Sequence, residues 1–224
     1  MRMLTSLTLF ALSSVAMADT YELNLNSAFQ GTTDVDFDIL SFSRHMPAFG
    51  IDGGMTVAKN TNLLVGLHTG TVGTTVYTGE DSEYDSMGNW AGEGSFQIAS
   101  TVNQLKIGAR HRHDLGHSIN ATLTAQGIFA HANLRMDEDI EMEGSEVAVH
   151  YNAFAPGFTA AVGMEWKPKL LKVGPTAGHL GAEAGYGHIF AFNFKDRDRS
   201  DEPISVGSLN LNGTLLRVYV GTEF

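Results

Sequence analysis

Strict alternation through the last eleven positions limits the possible folds more than any other feature of this sequence. Thr214, Leu216, Val218, Val220, Thr222 and Phe224 share one parity, and Leu215, Arg217, Tyr219, Gly221 and Glu223 share the other. A period of two puts successive side chains on opposite faces of a strand, so the segment is extended between two different environments. The pattern recurs. Leu180, Ala182, Ala184, Tyr186, Phe190, Phe192 and Phe194 oppose Gly181, Glu183, Gly185, Gly187 and Asn193. Phe158, Ala160, Val162, Met164 and Trp166 oppose Thr159, Ala161, Gly163 and Glu165. Tyr21–Asn26, Phe49–Val57, Leu63–His68, Leu105–Arg110 and Ile119–Phe129 alternate likewise, which makes eight strands. Phe96, Ile98 and Val102 fall on the parity opposite to Leu105. A β-bulge near Asn103 is expected to reconcile the two phases.

The connections alternate in length. Lys59–Asn62, His113–Gly116 and residues 167–174 read as short turns, and those at about 31–46, 72–94, 134–156 and 195–206 read as long loops. Four long loops on one side and three short turns on the other give an even number of strands with both termini together. The expected fold is all-β, an eight-stranded antiparallel up-and-down transmembrane barrel.

The start of the chain reads as an export signal. Met1-Arg2-Met3 is a short basic head, Leu4–Val15 is uncharged and mostly apolar, and Ala16-Met17-Ala18 is a small-x-small cleavage site. Residues 1–18 are therefore expected to be a signal peptide and residues 19–224 one barrel domain. There is no cysteine, so no disulfide braces the exported chain. The net charge of −11 argues against nucleic acid, whose phosphates need a basic footprint. The acids are clustered: three in residues 34–38, four in 80–85, six in 137–146 and four in 196–202, all in or beside the predicted long loops.

Period alone does not separate a membrane barrel from a soluble one, which also alternates. The polar faces here are crowded with Gly, Ala, Ser, Thr and Asn and a few charges of both signs, as a narrow eight-stranded interior requires. The opposite faces carry Leu, Val, Ile and Phe. The ending Leu216-x-Val218-x-Val220-x-Thr222-x-Phe224 resembles the C-terminal signal read by the barrel assembly machinery, with Thr222 less apolar than usual. The layout over residues 19–224 resembles the small eight-stranded outer-membrane barrels of the OmpA/OmpX/OmpW class. That resemblance implies a porin-like protein of the Gram-negative cell envelope, in the outer membrane, with Leu216, Val218, Val220 and Phe224 as the insertion signal.

On this reading Glu22, Asp52, His68, Lys106, Arg110, Glu165, Glu183 and Arg217 point into the lumen. Buried charge must be paired. A network centred on Arg217 with Glu183 and Glu22 is expected, with Lys106 and Arg110 meeting Glu165 or Asp52. It is either the polar core of a closed barrel or the gate of a narrow pore. Tyr21 and Trp166 at the periplasmic ends, and Phe190, Phe192, Phe194 and Trp90 toward the outer ends, are placed for aromatic girdles.

Other constellations are weaker. Asp34-x-Asp36-x-Asp38 and Asp137, Glu138, Asp139, Glu141, Glu143 and Glu146 offer oxygen ligands to divalent cations at the outer surface, without the spacing of an EF-hand loop. His111-x-His113 with His117 has two imidazoles on one strand face but no third ligand, so no metal site is assigned. Ser43 with His45 and Ser145 with His150 are neighbours in sequence only, so no catalytic residue is assigned. Three functions follow in order: a non-enzymatic envelope barrel, expected to be a monomer, whose acidic loops contact lipopolysaccharide, divalent cations or surface partners; a narrow channel for small solutes; and a lipid A-modifying enzyme. No cofactor is expected.

Overall fold

The computed structural model describes residues 20–31, 45–79, 94–140, 145–196 and 208–224. Eight long strands carry the fold: β1 (Tyr21–Gly31), β2 (His45–Ala58), β3 (Thr61–Gly79), β4 (Gly94–Gly116), β5 (Ile119–Ile140), β6 (Ser145–Trp166), β7 (Thr176–Asn193) and β8 (Ser208–Glu223). Two-residue ladders at Lys172–Val173 and Lys195–Asp196 and a single 3-10 turn at Lys169–Leu171 complete the described elements. Each long strand pairs antiparallel with its neighbour in sequence, and β8 pairs with β1, so the sheet closes. The structure is the eight-stranded up-and-down barrel that the alternation implies. Closure leaves no strand edge unpaired through the body of the barrel.

The register fixes the shape. A path through paired residues runs Gly163–Glu183–Arg217–Ala28–Ala48–Gly70–Val102–Ala132–Ala153. It leaves β6 at Gly163 and returns to β6 ten residues away, at Ala153. With eight strands, a shear of ten tilts them by roughly 43° from the barrel axis. The same climb means that a row of paired residues rises toward the long-connection end as it passes from β1 to β5.

The three connections at the other end are tight. Asn60 has φ 64, and His117 and Ser118 have φ 55 and 65 after Gly116 at 83. The β4–β5 turn is thus at His117–Ser118 and not at His113–Gly116, which is still strand, because positive φ at two consecutive residues makes a hairpin turn whose twist matches its strands. Two of the long connections are shorter than the sequence suggests. β3 runs on to Gly79, β4 starts at Gly94, and β5 and β6 extend to Ile140 and Ser145. Much of residues 72–94 and most of 134–156 is therefore antiparallel ladder, with Asp139 paired to Glu146 near the β5–β6 tip. Residues 32–44 and 80–93, with Asp34, Asp36, Asp38 and Trp90, lie outside the described residues.

The outer wall is apolar. Leu25, Ile51, Leu67, Leu123, Val162 and Val218 are each at least half exposed, and among the described residues no Asp, Glu, Lys or Arg points outward between the two aromatic zones. Tyr21, Trp166 and Phe224 form the zone at the short-turn end, where Tyr21 stacks on Phe224 with ring centroids 6.3 Å apart. Phe29, Phe49, Phe129, Phe158 and Tyr186 form the other. At this tilt the outward run from Trp166 to Pro156 is roughly 24 Å tall, the height of an outer-membrane hydrocarbon band.

Above that band the polarity of both faces inverts without a change of phase. On β5 the outward residues pass from Leu123 and Phe129 to Asn133 and Arg135, while the inward ones pass from Thr122, Thr124 and Gln126 to Ile128, Ala130, Ala132 and Leu134. This inversion, and not a bulge near Asn103, accounts for Val102. It points inward in phase with Gln104 and Lys106. The one register shift between β3 and β4 lies opposite, between Val72 and Thr74. On β7 there is a true irregularity. The register to β8 shifts between Leu209 and Leu211, so Phe192 and Phe194 turn inward while Phe190 stays outside.

Candidate functional site

The inward side chains of the short-turn half of the barrel form one occluded charge network. Glu22, Asp52, Glu165 and Glu183 face Lys106, Arg110, Arg112 and Arg217, all eight at most 6% exposed. Four acids against four bases balance the buried charge among the described residues. The inward glycines make room for them: a Cβ on Gly66 would overlap the Asp52 carboxylate, and one on Gly181 the Tyr219 ring.

At the short-turn mouth the hub is Arg112, which the sequence reading missed. Its Nε donates to Glu165 Oε1 at 2.8 Å, and its Nη2 donates to Glu22 Oε2 at 2.5 Å and to Glu165 Oε2 at 2.9 Å. Lys167 and Glu223 close the mouth with a 2.6 Å contact. His179 Nε2 lies 2.6 Å from Asn24 Oδ1. One layer up, the Arg110 guanidinium sits 4.1 Å above the Tyr219 ring, and its Nε is 3.2 Å from Glu183 Oε1. Tyr219 donates to Glu165 Oε2 at 3.2 Å, and Thr124 donates to Glu183 Oε1 at 2.8 Å. Arg217 next engages Glu183, its cross-strand partner in the register, and donates from Nη1 to Gln126 Oε1 at 2.9 Å. His68 Nε2 lies 2.7 Å from Asp52 Oδ1.

Arg217 and Glu183 therefore meet as expected, but Glu22 belongs to Arg112 and comes no nearer than 3.8 Å to Arg110. Arg110 meets Glu183 and not Glu165 or Asp52, and Asp52 takes His68, with Arg217 at 3.9 Å. The cause is the shear. Each step across a strand raises the row, so residues that seem level by count along the chain lie at different depths. The missed signal was the parity itself: Arg112 follows Arg110 by two, on the same face of β4.

Above the network the lumen is mostly apolar, with Gln30, Ser100 and Gln104 among its buried polar side chains. Val102, Ile128, Ala130, Ala132, Leu134, Ala153, Ile189, Phe192 and Leu211 pack into one buried cluster with Met46. The barrel interior is thus blocked twice, first by paired charges and then by hydrocarbon.

The remaining candidates are dispersed. His111 and His113 are exposed on the outside of β4, His111 with its Nδ1 3.0 Å from Thr61 Oγ1, and His117 is in the turn. Among the described residues no group of three His, Cys, Asp or Glu is placed to hold a metal ion. Ser43 lies outside the described residues, as does the side chain of Ser145. Leu216, Val218, Val220 and Phe224 are all outward and about half exposed.

No protein-family model and no curated protein matches the sequence. Among solved structures, Neisserial surface protein A is similar over 91% of this chain and 95% of its own, at 12% identity and a TM-score of 0.45. A major outer membrane protein from Thermus thermophilus is similar over 92% of this chain and 98% of its own, at 11% identity and 0.43. Ail, the attachment invasion locus protein of Yersinia pestis, is similar over 92% and 97%, at 7% identity and 0.39.

Proposed function

We propose that the chain is a non-enzymatic integral barrel of the cell outer membrane. Its acidic outer segments contact lipopolysaccharide directly or through divalent cations, or meet surface partners. The observation that carries this reading is the outer wall. An uncharged apolar band, bounded by aromatic zones and wrapped around buried, balanced charges, is unstable in water and stable in lipid. Insertion by the barrel assembly machinery and a monomeric state fit a closed sheet with its last strand ending at the short-turn mouth. The narrow-channel alternative finds less support, because ion pairs and an apolar plug both occupy the lumen.

Separating inner and outer membranes of expressing cells by density tests the location. The chain is expected to sediment with lipopolysaccharide and to migrate differently in gels with and without boiling, as folded barrels do. Recovery in the inner membrane or the soluble fraction would overturn the reading. Lipid A from a deletion strain, compared by mass with that of the parent, is expected to be unchanged, and an altered acylation or phosphorylation pattern would make the chain an enzyme.

A further inference from the structure

The outer wall carries a furrow across β1–β5 whose cavity measures about 770 Å³. Its lower ridge is a single register row, Leu25–Ile51–Leu67–Leu105–Phe129. Its upper ridge is the row two residues further on, Phe49–Thr69–Asn103–His131. Between them runs the row of Asn26, Gly50, His68 and Gln104, where the Asn26, His68 and Gln104 side chains turn into the lumen and leave backbone as the floor. The two ridges stand about 7 Å apart, and four strand steps make the furrow roughly 19 Å long. Because the row climbs, it begins at Leu25 in the middle of the apolar band and ends at Asn103 and His131, where the outward face turns polar. His131 is held there by stacking on Phe154, ring centroids 4.4 Å apart.

Charge singles out the occupant. In a chain of net charge −11, the outward residues of β3–β5 at and above the furrow head whose side chains are described are Thr69, Thr71, Thr101, Asn103, His131, Asn133 and Arg135. Among the described side chains these include no acid. An uncharged hydrocarbon slot headed by an imidazole, two amides and a guanidinium further along the same face of β5 complements one acyl chain joined to an anionic, hydroxyl-bearing headgroup. We propose that the furrow is a specific docking site for lipid A, with an acyl chain between the ridges and a phosphorylated glucosamine at Asn103 and His131. The choice of lipid A over a phospholipid rests on the outer-membrane reading above, since the furrow head lies at the long-connection end.

The test uses the full chain refolded in detergent, checked by its boiling-dependent gel shift, and incubated with bisphosphorylated lipid A or with phosphatidylglycerol. Native mass spectrometry is expected to show one lipid A retained at collision energies that strip phosphatidylglycerol. N103A/H131A removes the head contacts and L67A/L105A lowers the apolar ridge. All four positions face outward, and each pair is expected to cut the retained fraction at least fivefold. Equal retention by wild type and both pairs, or equal retention of phosphatidylglycerol, would overturn the site. Lipid A loss by the pairs with the chain found outside the outer membrane would leave the furrow chemistry standing and sink the proposed location instead.

Discussion

Arg112 shows what a single inward residue does in this barrel. It binds two carboxylates that no other described cation approaches as closely, so removing it leaves Glu22 and Glu165 facing each other without a shared partner. Breaking a buried ion pair from one side costs about 3–5 kcal/mol, because the charge left behind stays desolvated. Arg112→Met is expected to lower the unfolding free energy by that amount in urea titrations in lipid vesicles. Glu165→Gln in the same chain should recover part of the loss, since it removes one of the stranded charges. If the two losses simply added, the residues would not be acting as a pair. Gly181 is constrained differently. The Tyr219 ring occupies the space a side chain would take, so Gly181→Val must displace the ring from beneath Arg110. Overpacking of this kind costs about 1–3 kcal/mol, and the same titration reads it.

At the scale of the strand, the inversion of polarity along β5 locates the membrane boundary within one element. Ala125 is the middle of the outward run Ala121–Phe129, and Asn133 lies on the same face beyond it. Arginine on the lipid face costs about 2–4 kcal/mol at the bilayer midplane and close to nothing near the interface. Ala125→Arg is therefore expected to destabilise the folded barrel by that amount in vesicles, while Asn133→Arg leaves it unchanged. Equal effects would put both residues in one environment. The inversion also explains what was legible in the sequence. Strands such as Leu216–Phe224 and Phe158–Trp166 keep one polarity per face throughout, so their orientation could be read directly. Val102 and Ile128 could not be read that way. An apolar residue on the inward parity looks like a phase error when polarity is assumed constant along a strand, and a bulge was expected where none exists. Phe192 misleads in the opposite sense. There the backbone does slip, but the aromatic run Phe190, Phe192, Phe194 hides it, because an inward Phe in the apolar plug and an outward Phe in a girdle have the same chemistry. The loops were over-read for a related reason. Clustered acids look like coil, yet above the membrane a two-stranded ladder has polar outer faces too.

For the whole molecule, eight strands with a shear of ten set a lumen that side chains fill, and its two halves fill it by different physics. The charged half near the short turns is held by pairs of the Arg217–Glu183 and Arg112–Glu165 kind, and the apolar half by Ile189, Leu211, Phe192 and their neighbours. The two lie in series along the axis, so neither alone decides whether ions pass. Removing Arg217 would loosen the lower half and leave the plug dry. Wild type and Arg217→Ala are therefore both expected to be silent in planar bilayers. Ile189 and Leu211 face each other across β7 and β8 in the plug. Making both serine in the Arg217→Ala background would wet the upper half and join it to the loosened lower half, and discrete single-channel openings are expected only in that triple variant. Openings in Arg217→Ala alone would mean that the plug does not seal and that paired charge is the sole barrier, which would restore the narrow channel as the better account of what this barrel does.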